Sequence, residues 1–460
     1  MFADMLPRNR LLTFSCDASY AIDRQAIETL YARQRYLRTF RTDNGDLKRT
    51  LGMVDKLVNI TQLHMEVYSP ETAKTANAIL NSAVKLQHLE IRADLKQYCK
   101  ATQFLVTTVP PWGHAQASKA IINTVFHREV DKPCDIDRLG KKRILRSLQI
   151  YDLCSDEAAN RLVREVDFAR LDSSSLLKCE GMISLLRLVK RTGLPARMNL
   201  TELILTQPTE PPGVAEHIDD AIDDFLGSFG GLHTLVIHGP SDENLRPSLE
   251  ALAAHSSTLR LLYLGCCWVL PDDFDDDDLP FKPYYEVGEL GSFLAECANL
   301  EQLALDMPEP ILEIEEQETQ CQCRPFAEAL SRAHSLRALR TLTMPNDEDV
   351  EDGMPDSSAV RISINASFSM CANAYLTYLA NLGALSLVHG GKRADKNHHH
   401  GDIPITPRMY GRGTTTNAYG RKSAVALPLS KPSLQEIEPV SSILDIDPSD
   451  FRMMRRGMNM

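Results

Sequence analysis

The sequence predicts an α/β solenoid: a parallel ladder of short strands backed by helices, irregular in its repeat length and extending over residues 1–390, with a mostly disordered tail over 391–460. Three observations predict it. An apolar pattern, L-x-x-L-x-L, recurs eleven times along the chain. Segments with apolar residues three or four apart precede many of the occurrences. The composition, 43% hydrophobic and 24% charged, supports a sizeable core. A length of 460 residues does not by itself set the number of domains, because a solenoid grows by stacking.

In chain order the pattern appears at Leu11-Phe14-Cys16, Leu37-Phe40-Thr42, Ile60-Leu63-Met65, Leu86-Leu89-Ile91, Leu145-Leu148-Ile150 and Leu200-Leu203-Leu205. It continues at Leu232-Leu235-Ile237, Leu259-Leu262-Leu264, Leu300-Leu303-Leu305, Leu339-Leu342-Met344 and Leu382-Leu385-Leu387. The last two apolar positions lie two residues apart, which is strand spacing, so both point into the core and the residues between them point away. Return helices are predicted at Ala73 to Leu80, His217 to Phe229, Leu245 to Ala254, Val287 to Cys297 and Phe326 to Ala333. The two longest gaps, after Leu86 and after Leu145, each predict one degenerate repeat, with Val163-Val166-Phe168 the candidate in the second. For Leu339 the alternative of a helix extended through Leu336 and Arg337 stays open.

A chain with these anchors resembles the leucine-rich-repeat proteins over roughly residues 11 to 390 and, more loosely, the irregular repeat regions of fungal F-box/LRR proteins. The resemblance implies a protein-binding solenoid. Through the F-box/LRR proteins it further implies a substrate receptor of an SCF-type ubiquitin ligase, with ligase components among its partners. Two features depart from the family pattern. The asparagine or cysteine expected three residues beyond the last strand anchor occurs at Cys267, whereas Pro208, Pro240 and Pro308 occupy that place elsewhere. No F-box precedes the first repeat. The anchor at Leu11 follows ten residues, too few for a capping helix. This leaves open a shortened chain, a partner over that end, or a frayed first strand.

Charge is distributed unevenly. The formal net charge is −12, yet Asp272 to Asp356 holds 23 acidic and 5 basic residues, a local −18. The acid is concentrated in predicted loop insertions at 272–280, 309–323 and 346–358, which in a solenoid emerge on one edge. Such a rim attracts a basic protein surface and repels nucleic acid and anionic membrane, so neither is expected as a partner. Solvated loops that only keep the chain soluble are the competing expectation. The start, MFADMLPRNR, carries no apolar signal segment, and a cytoplasmic or nuclear location is expected, with eleven cysteines kept as reduced thiols. Asn59-Ile60-Thr61 and Asn199-Leu200-Thr201 match the glycosylation pattern by chance, since Ile60 and Leu200 are core anchors.

Chemical motifs are sparse. The sequence contains no G-x-S-x-G, H-E-x-x-H or C-x-x-C, and its three adjacent histidines from His398 lie in a polar tract. No enzyme activity, cofactor or metal is expected, and an enzyme of unrecognised type is the remote alternative. The outward strand positions carry the functional expectation. In the first repeats they are polar, among them Thr39, Arg41, Gln62, His64, Glu66, His88, Glu90 and Arg92. In the middle repeats they become apolar: Ile204, Val236, Leu261, Tyr263 and Ala304, with His238, Asp306 and Trp268 beside them. An apolar strip on a wet concave face is the expected protein-docking patch, with Tyr263 its anchor. The competing expectation is that the strip is covered.

Overall fold

The computed structural model describes residues 7–16, 29–30, 32–42, 58–95, 98–99, 111–127, 142–152, 156–179, 181–193, 198–206, 218–240, 247–267, 285–306, 323–343, 369, 371–389 and 408–430. The chain divides into two compact units, Met1–Phe229 and Gly230–Met460.

Among its described residues the first unit holds seven strands: β1 (Thr13–Cys16), β2 (Thr39–Thr42), β3 (Gln62–Val67), β4 (His88–Ala93), β5 (Ser147–Tyr151), β6 (Ser173–Leu177) and β7 (Glu202–Thr206). Each pairs in parallel with the next, in chain order. Helices return the chain: α1 (Pro70–Ser82), α2 (Pro111–Val125), α3 (Asp156–Glu165), α4 (Met182–Arg191) and α5 (Ile218–Leu226). The start of α1 is set locally. Ser69 and Thr72 form a reciprocal capping box, and Pro70 occupies the first turn, where its missing N–H costs nothing. Rows of buried side chains run across the strands, for example Phe40, Leu63, Leu89 and Leu148, each 3% exposed or less.

The second unit repeats the design with β8 (Thr234–Pro240), β9 (Leu261–Cys267), β10 (Gln302–Asp306), β11 (Ala338–Thr343) and β12 (Ala384–His389), again parallel in chain order. Its helices are α6 (Leu249–Ala253), α7 (Val287–Glu296) and α8 (Cys323–Leu330), with a further helical stretch at 371–378. A parallel ladder of strands backed by helices fits a leucine-rich-repeat-like solenoid in each unit.

Rungs are locked by one recurring contact. A single carbonyl accepts two consecutive N–H groups from the next repeat: Arg38 O from Thr61 and Gln62, Thr61 O from Gln87 and His88, Arg260 O from Glu301 and Gln302. A side-chain ladder runs beside it. The residue just before the first anchor donates to a carbonyl of the preceding repeat: Asn59 to Arg35 O (3.1 Å), Asn299 to Ser257 O (2.7 Å), Ser335 to Ala298 O (2.6 Å) and Asn381 to His334 O (2.6 Å). Polar stitching is therefore present at the entry to the strand, and at the position three residues beyond the last anchor of β6 the Cys179 thiol donates to Ile150 O of the preceding rung (3.6 Å).

Three expectations need correction. No strand separates β4 from β5, which are directly paired, so the gap after Leu86 hides no extra rung; α2 lies in that interval. The degenerate repeat after Leu145 is β6, anchored by Leu171, Ser174 and Leu176, whereas Val163 and Val166 belong to or just follow α3 and Phe168 starts a short 3-10 turn. In β11 the core register is Leu336-Leu339-Thr341, because Leu339 aligns with Leu303 and Thr341 with Leu305. Leu342 thereby pairs with Asp306, one place beyond the anchor row, which displaces the Leu339-Leu342-Met344 assignment.

Within the tail, residues 408–430 form a hairpin: β13 (Arg408–Thr416) pairs antiparallel with β12, and β14 (Lys422–Pro428) pairs antiparallel with β13. Asn417 and Gly420 close the turn. Asn417 Oδ1 accepts from the N–H groups of Tyr419 and Arg421, and Gly420 adopts φ +74°, which suits glycine. The Arg412 guanidinium reaches back to the carbonyls of Leu376, Leu379 and Leu382, which closes the last repeat. The rest of 391–460 lies outside the described residues, as do the insertions 272–280, 309–322 and 346–358; residue 323 opens α8.

Candidate functional site

Alternation along each strand separates two faces, and the face turned away from the anchors differs between the units. In the first unit one row across the sheet reads Ser15, Arg41, His64, Glu90, Gln149, Ser175 and Ile204. The flanking rows add Thr39, Gln62 and His88 on one side and Glu66, Arg92 and Tyr151 on the other. Thr39 donates to Gln62 Oε1 (3.0 Å), His64 Nδ1 meets Glu90 Oε2, and Gln149 donates to the Tyr151 hydroxyl (2.7 Å). The Arg92 guanidinium lies 5.7 Å from the centre of the Tyr151 ring.

Exposure falls steadily along that row. Ser15 is exposed, Arg41, His64 and Glu90 are half-buried, and Gln149, Ser175 and Ile204 are buried; Arg92, in the flanking row, is exposed. The open part of the face is thus the polar stretch over β2, β3 and β4, with Tyr151 of β5 at its margin. Cross-strand hydrogen bonds and the Arg92–Tyr151 contact hold side chains of this face in place, a preorganised surface with donors, acceptors and both signs of charge.

In the second unit the corresponding row is Val236, Tyr263, Ala304, Arg340, Ser386 and Met409. All six are buried, Arg340 to 1% exposure. The Arg340 guanidinium sits 5.9 Å from the Tyr263 ring centre, and His238 packs edge-on to the same ring at 6.0 Å. Gly265 lies opposite His238 in the register. Burial pushes the His238 imidazole down to about 4; the Arg340 cation adds to the shift and a backbone hydrogen bond at Gly265 opposes it. His238 is therefore neutral at pH 7.

The expected docking strip meets a plain correction here. Ile204, Val236, His238, Leu261, Tyr263 and Ala304 are each 3% exposed or less, so they do not form an open patch, and Tyr263 is not an exposed anchor. Ile204 belongs to the first unit and the others to the second. The side chain of Asp306 and all of Trp268 lie outside the described residues. Sequence reasoning missed Arg340, whose outward placement follows from the shifted register of β11, and did not single out Tyr151. A signal was available. Strands β3 and β4, QLHMEV and HLEIRA, alternate polar with apolar, the mark of a sheet wet on one side, whereas LLYLG in β9 and ALSLV in β12 are nearly continuous apolar runs, the mark of strands covered on both faces.

Several other chemistry-bearing groups among the described residues are packed. His255 is fully buried and its Nδ1 accepts from the Leu232 N–H (3.3 Å). Cys99, Cys179, Cys297 and Cys371 are buried free thiols; burial, reinforced by the Glu296 charge, pushes the Cys297 thiol up to about 12. Among the described residues no group of three or more His, Cys, Asp and Glu is placed to hold a metal ion, and no helix is long and apolar enough to cross a membrane.

No family model matches the sequence, and no curated protein matches it. Among solved structures the chain is similar to one in the crystal structure of the Rad7 and Elc1 complex in yeast, with 14% identity, a TM-score of 0.38, and coverage of 73% of this chain and 76% of that one.

Proposed function

We propose that this chain is a non-catalytic scaffold that binds a partner protein on the open polar face of β2, β3 and β4. The observation that carries the reading is the open polar ladder of Arg41, His64, Glu90 and Arg92, in which His64 meets Glu90 across β3 and β4 and Arg92 lies against the Tyr151 ring across β4 and β5. Side chains ordered before a partner arrives lose little entropy on binding, so each contact made is worth more. The burial of His255 and the raised thiol of Cys297 support structural roles for those residues. A partner with its own mixed charge suits this face, and the finer reading, delivery of the bound protein to a ubiquitin ligase, rests on the resemblance to the F-box/LRR proteins.

The test is affinity capture with the full chain and with a His64→Ala, Glu90→Ala, Arg92→Ala variant whose fold is confirmed by circular dichroism. Proteins captured by the parent and lost by the variant support the strand face. Ligase components in the captured set support the receptor reading. Identical captures by both chains mean that this face binds nothing.

A further inference from the structure

We propose that a second surface, the strand-entry edge of the first unit, docks an acidic protein segment with interspersed aliphatic side chains. The proposal shares with the preceding reading only the idea of a protein partner and uses different residues. The turn leading into each strand projects the residues that flank the first anchor. In five successive rungs this turn exposes a large apolar side chain: Leu12, Tyr36, Val58, Val84 and Ile144, all 40–65% exposed. These positions are neighbours in space. Arg38 and Thr39 donate to Leu12 O, Asn59 donates to Arg35 O, Lys85 donates to Asn59 Oδ1, and Arg146 donates to Gln87 O. Adjacent rungs of a sheet are about 4.8 Å apart, so the five turns that carry these side chains run side by side in one file along the edge.

Cations border that file. Arg10, Arg35, Arg38, Lys85 and Arg146 are all exposed. From the third residue before each of the anchors Leu11, Leu37, Ile60, Leu86 and Leu145 to the first residue after it, the sequence contains no aspartate or glutamate. Among the described residues no carboxylate pairs with Arg35, Arg38 or Arg146. An uncovered apolar file between permanently charged guanidinium groups is complementary to a segment that alternates carboxylates with aliphatic side chains.

Two features favour such a segment over a nucleic acid or an anionic bilayer. Residues 1–229 carry 29 acidic and 31 basic side chains, a charge of only +2, so the cations of this edge act locally and an extended polyanion finds no wider excess of positive charge on this unit. At physiological salt the cationic row acts over about 8 Å, the reach of a short docked segment. Val58, Val84 and Ile144 have no use for phosphate, and the file offers a single aromatic ring, Tyr36, on which a base can stack.

Fluorescence anisotropy with the full chain tests the proposal, using a labelled peptide in which glutamate alternates with isoleucine or leucine. Comparators are the same peptide with glutamine for glutamate, one with serine for the aliphatic residues, phosphatidylserine vesicles and duplex DNA. The acidic aliphatic peptide is expected to bind most tightly, with affinity that falls as salt rises. Arg35→Glu, Arg38→Glu, Arg146→Glu together are expected to weaken it about tenfold or more, and Tyr36→Ser, Val84→Ser, Ile144→Ser together to a similar degree. Should the charge reversals disturb folding, the glutamine variants at the same three arginines repeat the measurement. No peptide binding, equal binding by the edge variants or the comparator peptides, or tighter binding to vesicles or DNA overturns the proposal. Peptide binding retained by the His64→Ala, Glu90→Ala, Arg92→Ala variant keeps the fate of this edge separate from that of the strand face.

Discussion

His238 carries the clearest residue-level consequence of burial. Its imidazole has an ordinary value of 6.5 and is held near 4 in the folded chain, so the folded state binds its proton less readily than the unfolded chain does. For a depressed histidine the stabilising contribution is complete above 6.5 and is lost as the pH falls through 6.5 toward 4. The expected loss between pH 7 and pH 5 is about 2 kcal/mol, measurable by urea denaturation at both values. His238→Gln removes that part of the pH dependence; an unchanged difference between the two pH values in the variant refutes the assignment. The anchor leucines make a second case. Leu203, Leu235 and Leu262 are each 1% exposed or less, and truncation of any one to alanine is expected to cost about 2–5 kcal/mol. Near-zero effects at all three in denaturant titrations would mean that the anchors do not face the core.

The hairpin of β13 and β14 shows how an element acquires its role from its neighbours. Its sequence, RMYGRGTTT followed by KSAVALP, combines glycines with a run of threonines and lacks a strong apolar period. What orders it is the open edge of β12 and the row of carbonyls at Leu376, Leu379 and Leu382, which Arg412 satisfies. A solenoid needs such a terminal cover because its last repeat otherwise presents unpaired backbone and apolar core to water. Arg412→Ala is expected to cost about 1–3 kcal/mol locally, since charged hydrogen bonds to buried carbonyls are lost. Hydrogen exchange reads this as faster exchange across β12, β13 and β14 with β8 and β9 unchanged. Uniformly faster exchange would show that the hairpin is not a local cap.

At the scale of the molecule, each strand contacts the rungs before and after it, so stability within a unit is a sum of repeat and nearest-neighbour terms. Leu63→Ala in β3 is accordingly expected to accelerate amide exchange in β2, β3 and β4 well before β6 and β7, and an all-or-none acceleration of the first unit would contradict this. The sequence alone determined the period. Anchors two residues apart with helical spacing before them admit one strand and one return helix per unit, and ten of eleven anchor sets fall in the observed register, because burial at those positions depends only on local periodicity. The asymmetry of charge was equally legible, being a property of composition. Tertiary structure alone decided which part of the outward face is open. A polar ladder on β3 and an apolar run on β9 both satisfy strand alternation, and only the packing of distant chain segments distinguishes a wet surface from a covered one. The displaced register of β11, and with it the burial of Arg340 beside Tyr263, was settled in the same way: Leu339 pairs with Leu303 because the neighbouring rung fixes its height, a constraint absent from the local pattern.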